Sequence, residues 1–157
     1  GFTFAAQGVA MVCDRPAEPL APGHVQIEEP NASQYDTWAN TMCHSFDMPS
    51  DVGEMGRSVL DVPEVRLYLA WMDGEPVGTA LLYSQQGMGY VDLVATLPHH
   101  RRKGVASSLV TRAVADSQTL GNRWTALEVV NGSAAERLYK RLGFRPVHHR
   151  PRYGKHL

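Results

Sequence analysis

The stretch YVDLVATLPHHRRKGVA, residues 90–106, decides the fold. Its first eight residues are mostly apolar or β-branched, which is typical of a buried strand that ends at Pro98. A helical pattern begins after Gly104, and the turn between them carries the basic run RRK at residues 101–103. The first turn of a helix leaves backbone N–H groups unpaired and carries partial positive charge. The stretch therefore predicts a strand, a turn that favours an anion such as phosphate, and a helix.

The sequence of this turn excludes two common nucleotide-binding motifs. A P-loop requires GxxxxGK followed by Ser or Thr, a dinucleotide fingerprint requires GxGxxG, and neither occurs here. The turn instead reads RxxGxA, from Arg101 to Ala106. Small residues at positions 104 and 106 let the backbone approach a ligand closely, and the basic side chains supply charge. Taken alone, this turn fits a phosphate site or a solvated basic helix start.

A second stretch, WTALEVVNGSAAERLYKRLGF at residues 124–144, also predicts a strand followed by a helix. Together the two stretches resemble the GNAT superfamily of acyl-CoA-dependent N-acyltransferases. That family joins an R/QxxGxG/A loop to a later strand, an Asn, a helix carrying Leu-Tyr and a closing Gly-Phe. The matching residues are Arg101, Gly104, Ala106, Asn131, Ala134, Leu138, Tyr139, Gly143 and Phe144. The resemblance covers residues 24–149 and implies an α/β fold: a mixed, mostly antiparallel twisted sheet with helices on both faces.

The resemblance also implies a donor site for acetyl-CoA, without a metal. The strand backbone of Leu93, Val94, Ala95 and Thr96 would pair with the pantetheine arm. The pyrophosphate loop would comprise Arg101, Arg102, Lys103, Gly104, Val105, Ala106 and Ser107. Asn131 and Ser133 would complete the donor site.

Two residues are candidates for proton transfer. By resemblance, Tyr139 would donate to the leaving thiolate, since a phenol with a pKa of about 10 is protonated at neutral pH; the alternative is a tyrosine that only packs its ring in the core. Asp92 is the strand carboxylate best suited to act as a base, directly or through water. An outward-facing strand residue without a catalytic role is the competing interpretation of Asp92.

The resemblance implies an N-acetyltransferase that moves the acetyl group of acetyl-CoA directly to a primary amine of a small molecule or peptide. The alternative is a non-catalytic acyl-CoA-binding module of a tandem protein. The net charge of −1 argues against nucleic acid as a partner. No apolar run could span a bilayer and no signal peptide is recognisable, so we expect a cytoplasmic protein without a membrane partner. A homodimer is left open.

The length of the chain and the position of its Pro-rich segment suggest the domain organisation. With 157 residues, of which 43% are hydrophobic, the chain can bury one core. We expect residues 24–157 to form the acyltransferase domain, and residues 1–23 to form a strand or hairpin followed by a Pro-rich linker over residues 15–23. The Gly1-Phe2 pair repeats Gly143-Phe144, which suggests the end of a missing preceding region; coincidence is the alternative. Cys13 and Cys43 show no disulfide or zinc spacing.

The remaining elements follow from periodicity. Residues 24–28 alternate as a strand, and residues 66–72 and 77–83 predict a hairpin around an Asp-Gly turn. Helices are expected from residue 30 to 46 and from 51 to 60. In the first helix, one apolar stripe is expected to pack into the core; its members are Tyr35, Trp38, Ala39, Met42 and Phe46.

Overall fold

The computed structural model of the chain describes residues 2–15 and 24–155. The strands are β1 (Phe2–Cys13), β2 (Gln26–Glu28), β3 (Val65–Met72), β4 (Glu75–Gln85), β5 (Met88–Thr96), β6 (Trp124–Val130) and β7 (Arg145–Lys155). The helices are α1 (Tyr35–Ser45), α2 (Ser50–Met55), α3 (Val105–Thr119) and α4 (Ala134–Arg141). The linker predicted over residues 15–23 lies, apart from Arg15, outside the described residues.

The described strands form one open, mixed sheet in the order β2-β3-β4-β5-β6-β1-β7. Neighbouring strands are antiparallel except β5 and β6, which run parallel. This parallel pairing joins only residues 88–90 to residues 124–126. Beyond that point the two strands separate, and a gap opens between them. The predicted mixed, mostly antiparallel sheet is confirmed.

The N-terminal segment forms a single strand, not a hairpin. β1 lies between β6 and β7 and pairs antiparallel with both. Val9 and Met11 are fully buried in the main core, whereas Phe4 is 63% exposed. Residues 2–13 are therefore built into the same sheet as the rest of the chain.

Helices cover both faces of the sheet, as predicted. Tyr35, Trp38 and Met42 of α1 pack against Leu67 and Leu69 of β3 on one face. The opposite face carries the main core, to which α3 contributes Leu109, Val110, Ala113 and Val114, and α4 contributes Tyr139 and Leu142. Because α1 and α3 present apolar stripes to opposite faces, the sheet is buried from both sides at its centre.

Two helix boundaries differ from the sequence prediction. The first helix starts as a 3₁₀ turn at residues 32–34, capped by Asn31, and becomes α-helical only at Tyr35. The helix predicted over residues 51–60 is wrong in its second half, because α2 ends at Met55 and a 3₁₀ turn follows at residues 57–61. The carbonyl of Gly53 accepts from the Gly56 N–H and from the Tyr35 hydroxyl, so it closes a tighter turn there.

Candidate active site

A bulge in β5 starts the gap between β5 and β6. Leu93 has a φ of +50°, and the register against β4 shifts between Thr79 and Leu81. The Leu93 N–H donates to Asp92 Oδ1 at 2.7 Å, and Thr79 Oγ1 donates to the Leu93 carbonyl at 3.1 Å. A left-handed non-glycine residue of this kind marks a built-in irregularity that bends the strand. The bulge turns the C-terminal half of β5 away from β6.

The backbone of β5 beyond the bulge faces this gap. The Leu97 N–H donates to the Val77 carbonyl at 2.9 Å, so this N–H points toward β4. Backbone polar groups alternate in direction along a strand, hence those of Val94 and Thr96 point to the side where no strand pairs. The N–H and carbonyl of Leu93 are both used within the protein. Of the four strand residues predicted for the donor, Val94 and Thr96 thus direct their backbone to this side, where the Thr96 carbonyl already accepts from Arg101 Nε.

The loop that enters α3 has the conformation of an anion site. Arg102 and Gly104 have positive φ angles of 64° and 84°. Gly104 is the N-cap of α3 without a side-chain cap, and its carbonyl accepts the first helical bond from Ser108 at 2.9 Å. No acidic residue lies in the first turn. At an uncapped helix start the first backbone N–H groups have no partner within the helix. Loop residues in the left-handed conformation turn further N–H groups in the same direction, and together these groups favour a bound anion.

Arg101 is bound to the protein itself. Its Nε donates to the Thr96 carbonyl at 3.2 Å and its Nη2 to the Ser45 carbonyl at 3.2 Å. Ser45 is the last residue of α1 and Thr96 the last of β5. The guanidinium therefore ties the C-terminus of α1 to the end of β5, where a cation also interacts favourably with the helix dipole.

A groove with a volume of about 800 Å³ runs along these elements. Its lining includes the predicted residues Val94, Ala95, Thr96, Arg101, Arg102, Gly104, Val105, Ala106 and Ser107. Sequence reasoning missed its other residues, which are Ser45, Phe46, Ala134, Ala135, Arg137, Leu138 and Arg141. Those from α4 recur at helical spacing, so that periodicity could have identified them. The groove thus joins β5, α3, α4 and the end of α1.

The apolar stripe predicted for α1 is wrong at its last member. Phe46 follows the end of the helix, is 44% exposed and lines the groove. The helix ends one residue earlier, at Ser45, so Phe46 no longer shares the direction of the buried stripe.

Four of the predicted donor residues lie outside this lining. They are Leu93, Lys103, Asn131 and Ser133. The Asn131 N–H donates to the Gln7 carbonyl at 2.8 Å, which ties the end of β6 to β1. Ser133 Oγ caps α4 by accepting from the Glu136 N–H at 3.1 Å. Donor binding by these side chains stays a prediction.

Glu136 holds the start of α4 by contacting a residue before the helix and another one turn later. The Gly132 N–H donates to Glu136 Oε2 at 2.6 Å, and Lys140 pairs with Glu136 Oε1 at 2.6 Å. The hydrogen bond from Lys140, together with the one from the Gly132 N–H, lowers the pKa of Glu136. Because the cap fixes the first turn, it also fixes the orientation of Tyr139 one turn later.

Tyr139 and Asp92 lie within electrostatic reach of each other. The Tyr139 side chain is buried, with its ring centroid 6.0 Å from that of Phe144. Burial, followed by the charge of Asp92, raises the pKa of Tyr139 to about 12. Asp92 itself is exposed on β5 and accepts the hydrogen bond of the bulge. Neither Tyr139 nor Asp92 is among the residues that line the groove, so their roles in proton transfer stay predictions.

Two kinds of feature are missing from residues 2–15 and 24–155. No three His, Cys, Asp or Glu side chains there converge in a way that could hold a metal ion. None of the helices in these ranges has the length and apolar character needed to cross a bilayer.

Comparison with known proteins places the groove in context. The model of the Acetyltransferase (GNAT) family matches residues 31–144. An uncharacterized N-acetyltransferase, YsnE of Bacillus subtilis (strain 168), is 26% identical over 128 residues, covering 77% of this chain and 85% of the relative. The N-alpha-acetyltransferase MAK3 of Arabidopsis thaliana is 35% identical over 82 residues, which is 49% of this chain and 43% of that protein.

Solved structures share the fold. A GCN5-related N-acetyltransferase from Sphaerobacter thermophilus has a TM-score of 0.78 and 23% identity, and it covers 98% of this chain. AAC(6')-Iy, in complex with the bisubstrate analog CoA-S-monomethyl-acetylneamine, has a TM-score of 0.72 and 20% identity, with 86% of this chain and 100% of that chain covered. This chain spans 51% of the Sphaerobacter protein and 56% of a related one from Kribbella flavida.

Proposed function

The chain belongs to the acetyltransferase (GNAT) family, and we propose that it transfers the acetyl group of acetyl-CoA directly to a primary amine of a small molecule or peptide. The observation that carries this proposal is the groove, in which the end of β5 and the uncapped start of α3 form one continuous wall. A long donor with a thioester at one end and a pyrophosphate in its middle requires such a wall.

Acetyl-CoA supplies an acyl group that is already activated as a thioester, so the protein's task is mainly to position the reactants. The backbone of Val94 and Thr96 would hold the pantetheine arm, and an N–H there would polarise the thioester carbonyl. The first-turn amides that follow Gly104, with Arg102 beside them, would hold the pyrophosphate. Arg101 acts on the walls of this site by holding α1 against β5.

Two side chains would move the protons. Asp92 would take a proton from the incoming amine, directly or through water, because its carboxylate is exposed beside the gap. Tyr139 would donate to the departing sulfur. A pKa of about 12 keeps the Tyr139 phenol protonated at neutral pH, and its hydroxyl makes no hydrogen bond within the described part of the chain.

The Tyr139→Phe variant tests this function. It keeps the ring that packs on Phe144 but removes the proton, so turnover should fall about 100-fold, the usual scale of general acid catalysis, while CoA affinity changes little. Release of free thiol from acetyl-CoA with a panel of primary amines measures turnover, and calorimetry measures CoA binding.

Tyr153→Phe is the matched control, since Tyr153 is 61% exposed on β7 and lies outside the groove. It should turn over like the unmodified protein. Full activity of Tyr139→Phe, with chemistry limiting the rate, would refute the role of the phenol. CoA binding without thiol release for any amine would favour the alternative, a non-catalytic acyl-CoA-binding module.

A further inference from the structure

The sheet has an open face beside the proposed active site. Of the described helices, α3 and α4 pack on one side of β6, while α1 on the other side covers β4 and β5. The side of β6, β1 and β7 opposite α3 and α4 is left uncovered by the residues that the structure describes. Its floor is largely made of small residues: Ala6, Gly8 and Ala10 of β1 lie there with Ala126 of β6, and Val12 and Val130 share the face. We call this surface the open face.

A charged cluster crosses the floor of the open face. Glu128 of β6 reaches over β1 to two arginines of β7, accepting from Arg150 Nη2 and from both Nε and Nη2 of Arg152, the Nε at 3.0 Å. A Cβ on Gly8 would lie 2.8 Å from Glu128 Oε1, so glycine is what makes room for the carboxylate. The Glu128 side chain is only 9% exposed, whereas Arg150 is 59% and Arg152 46% exposed.

This cluster carries one positive charge in excess. Two guanidinium groups share one carboxylate, and each guanidinium has five N–H donors, of which Glu128 uses only one or two. Both arginine side chains are also about half exposed, so the other donors can reach a bound anion. Because both oxygens of Glu128 already accept hydrogen bonds from the two arginines, the carboxylate is poorly suited to bind the ammonium group of a substrate.

The opposite charge lies across the gap, at Asp92. The phenol of Tyr90, two residues before Asp92 on β5, is influenced by both: burial, Asp92 and Glu128 raise its pKa, while Arg150 and Arg152 lower it. All four charged groups therefore act electrostatically on the same phenol. The open face thus has a negative end at β5 and a positive end over β1.

We propose that the acceptor is an amine that also carries an anionic group, and that Arg150 and Arg152 bind this anion while the amino group faces Asp92. The proposal rests on the proposed function and names the acceptor class of that site. The positive end lies two strands away from β5, and two strand spacings of about 4.8 Å give a minimum separation of roughly 10 Å between amine and anion, because β5 and β6 diverge beyond residue 90. An extended chain of about three residues, at about 3.4 Å per residue, spans this distance.

Triglycine and triglycinamide test the proposal, because they share the amine and differ only in the terminal charge. We expect kcat/KM for triglycine to exceed that for triglycinamide at least tenfold, about 1.4 kcal/mol, in the thiol-release assay. In Arg150→Gln this preference should fall toward one, because kcat/KM should fall more for triglycine than for triglycinamide. Arg150→Lys keeps the charge and should keep most of the preference.

Arg66→Gln is the matched control, since Arg66 lies on β3, at the other end of the sheet, and pairs with Glu29 and Asp116; it should leave the preference unchanged. Equal transfer to both peptides, or a preference that persists in a folded Arg150→Gln variant, would overturn this inference and leave the proposed function standing. Absence of thiol release with both peptides and with every other primary amine would overturn the proposed function, and this inference with it.

Discussion

Replacing Gly104 by valine should weaken CoA binding by more than its effect on the stability of the fold can explain. Gly104 adopts a φ of +84° at the start of α3. A residue with a Cβ costs about 1–2 kcal/mol in this left-handed region, and a β-branched one is the least suited to it. For a chain of this length each kcal/mol lowers Tm by roughly 2–4 °C, so we expect a loss of about 2–8 °C.

The expected effect on the donor is larger than this loss of stability. The added side chain would stand where the loop backbone approaches the pyrophosphate and would turn the amides that follow it. We therefore expect the Kd for CoA, measured by calorimetry below the Tm of the variant, to rise at least tenfold, about 1.4 kcal/mol.

Gly121 provides the matched control. Its φ is +85°, it follows the C-terminal end of α3, and an added Cβ would meet nothing within 4 Å. Gly121→Val should therefore carry a similar backbone cost and a similar loss of Tm while binding CoA normally. If both variants fold and bind CoA with the same Kd as the unmodified protein, the donor does not approach the backbone at Gly104.

Three further predictions concern the walls of the site. In Gly78→Ala the added Cβ would lie 2.6 Å from a backbone carbonyl oxygen of β5, and such overpacking costs about 1–3 kcal/mol, so the Tm should fall. In the control, Gly154→Ala, the added Cβ makes an ordinary contact at 3.7 Å, so the Tm should not change. Equal Tm values for the two variants would contradict this packing. Arg101→Gln loses both carbonyl contacts, so the Tm of the CoA-free protein should fall by roughly 2–4 °C, for about 1 kcal/mol; an unchanged Tm would exclude a role in holding α1. Burial alone would raise the pKa of Glu128, but hydrogen bonds from the neighbouring arginines lower it from its ordinary value of 4.5. Ionised Glu128 therefore stabilises the fold above pH 4.5. This stabilisation is lost as the pH falls through the lower pKa that Glu128 has in the folded protein. Glu128→Gln should thus unfold more easily than the unmodified protein at neutral pH in urea titrations, with a difference that closes below about pH 4; a difference independent of pH would contradict the ion pairs.

Much of the donor wall could be predicted from the sequence because it is local. Apolar periodicity, a proline stop and a glycine before a helical pattern define the strand, the loop and α3 within seventeen consecutive residues, 90–106. The left-handed Gly104 and the uncapped helix start follow from the same stretch. The contacts of Arg101 could not be predicted in this way, since its partner Ser45 lies 56 positions away.

The sequence by itself determined the elements, their order and the residue types of the donor loop, because backbone conformation and burial period are encoded within short windows. Only the tertiary structure decided that β1 lies between β6 and β7, that β5 separates from β6 after three paired residues, and that Glu128 meets Arg150 and Arg152 across Gly8. These strand neighbours depend on pairing between distant segments, from 36 positions apart for Met88 and Trp124 to more than a hundred for β1 and β6. No local pattern specifies such pairing, because each strand could satisfy its hydrogen bonds and bury its apolar face beside several others.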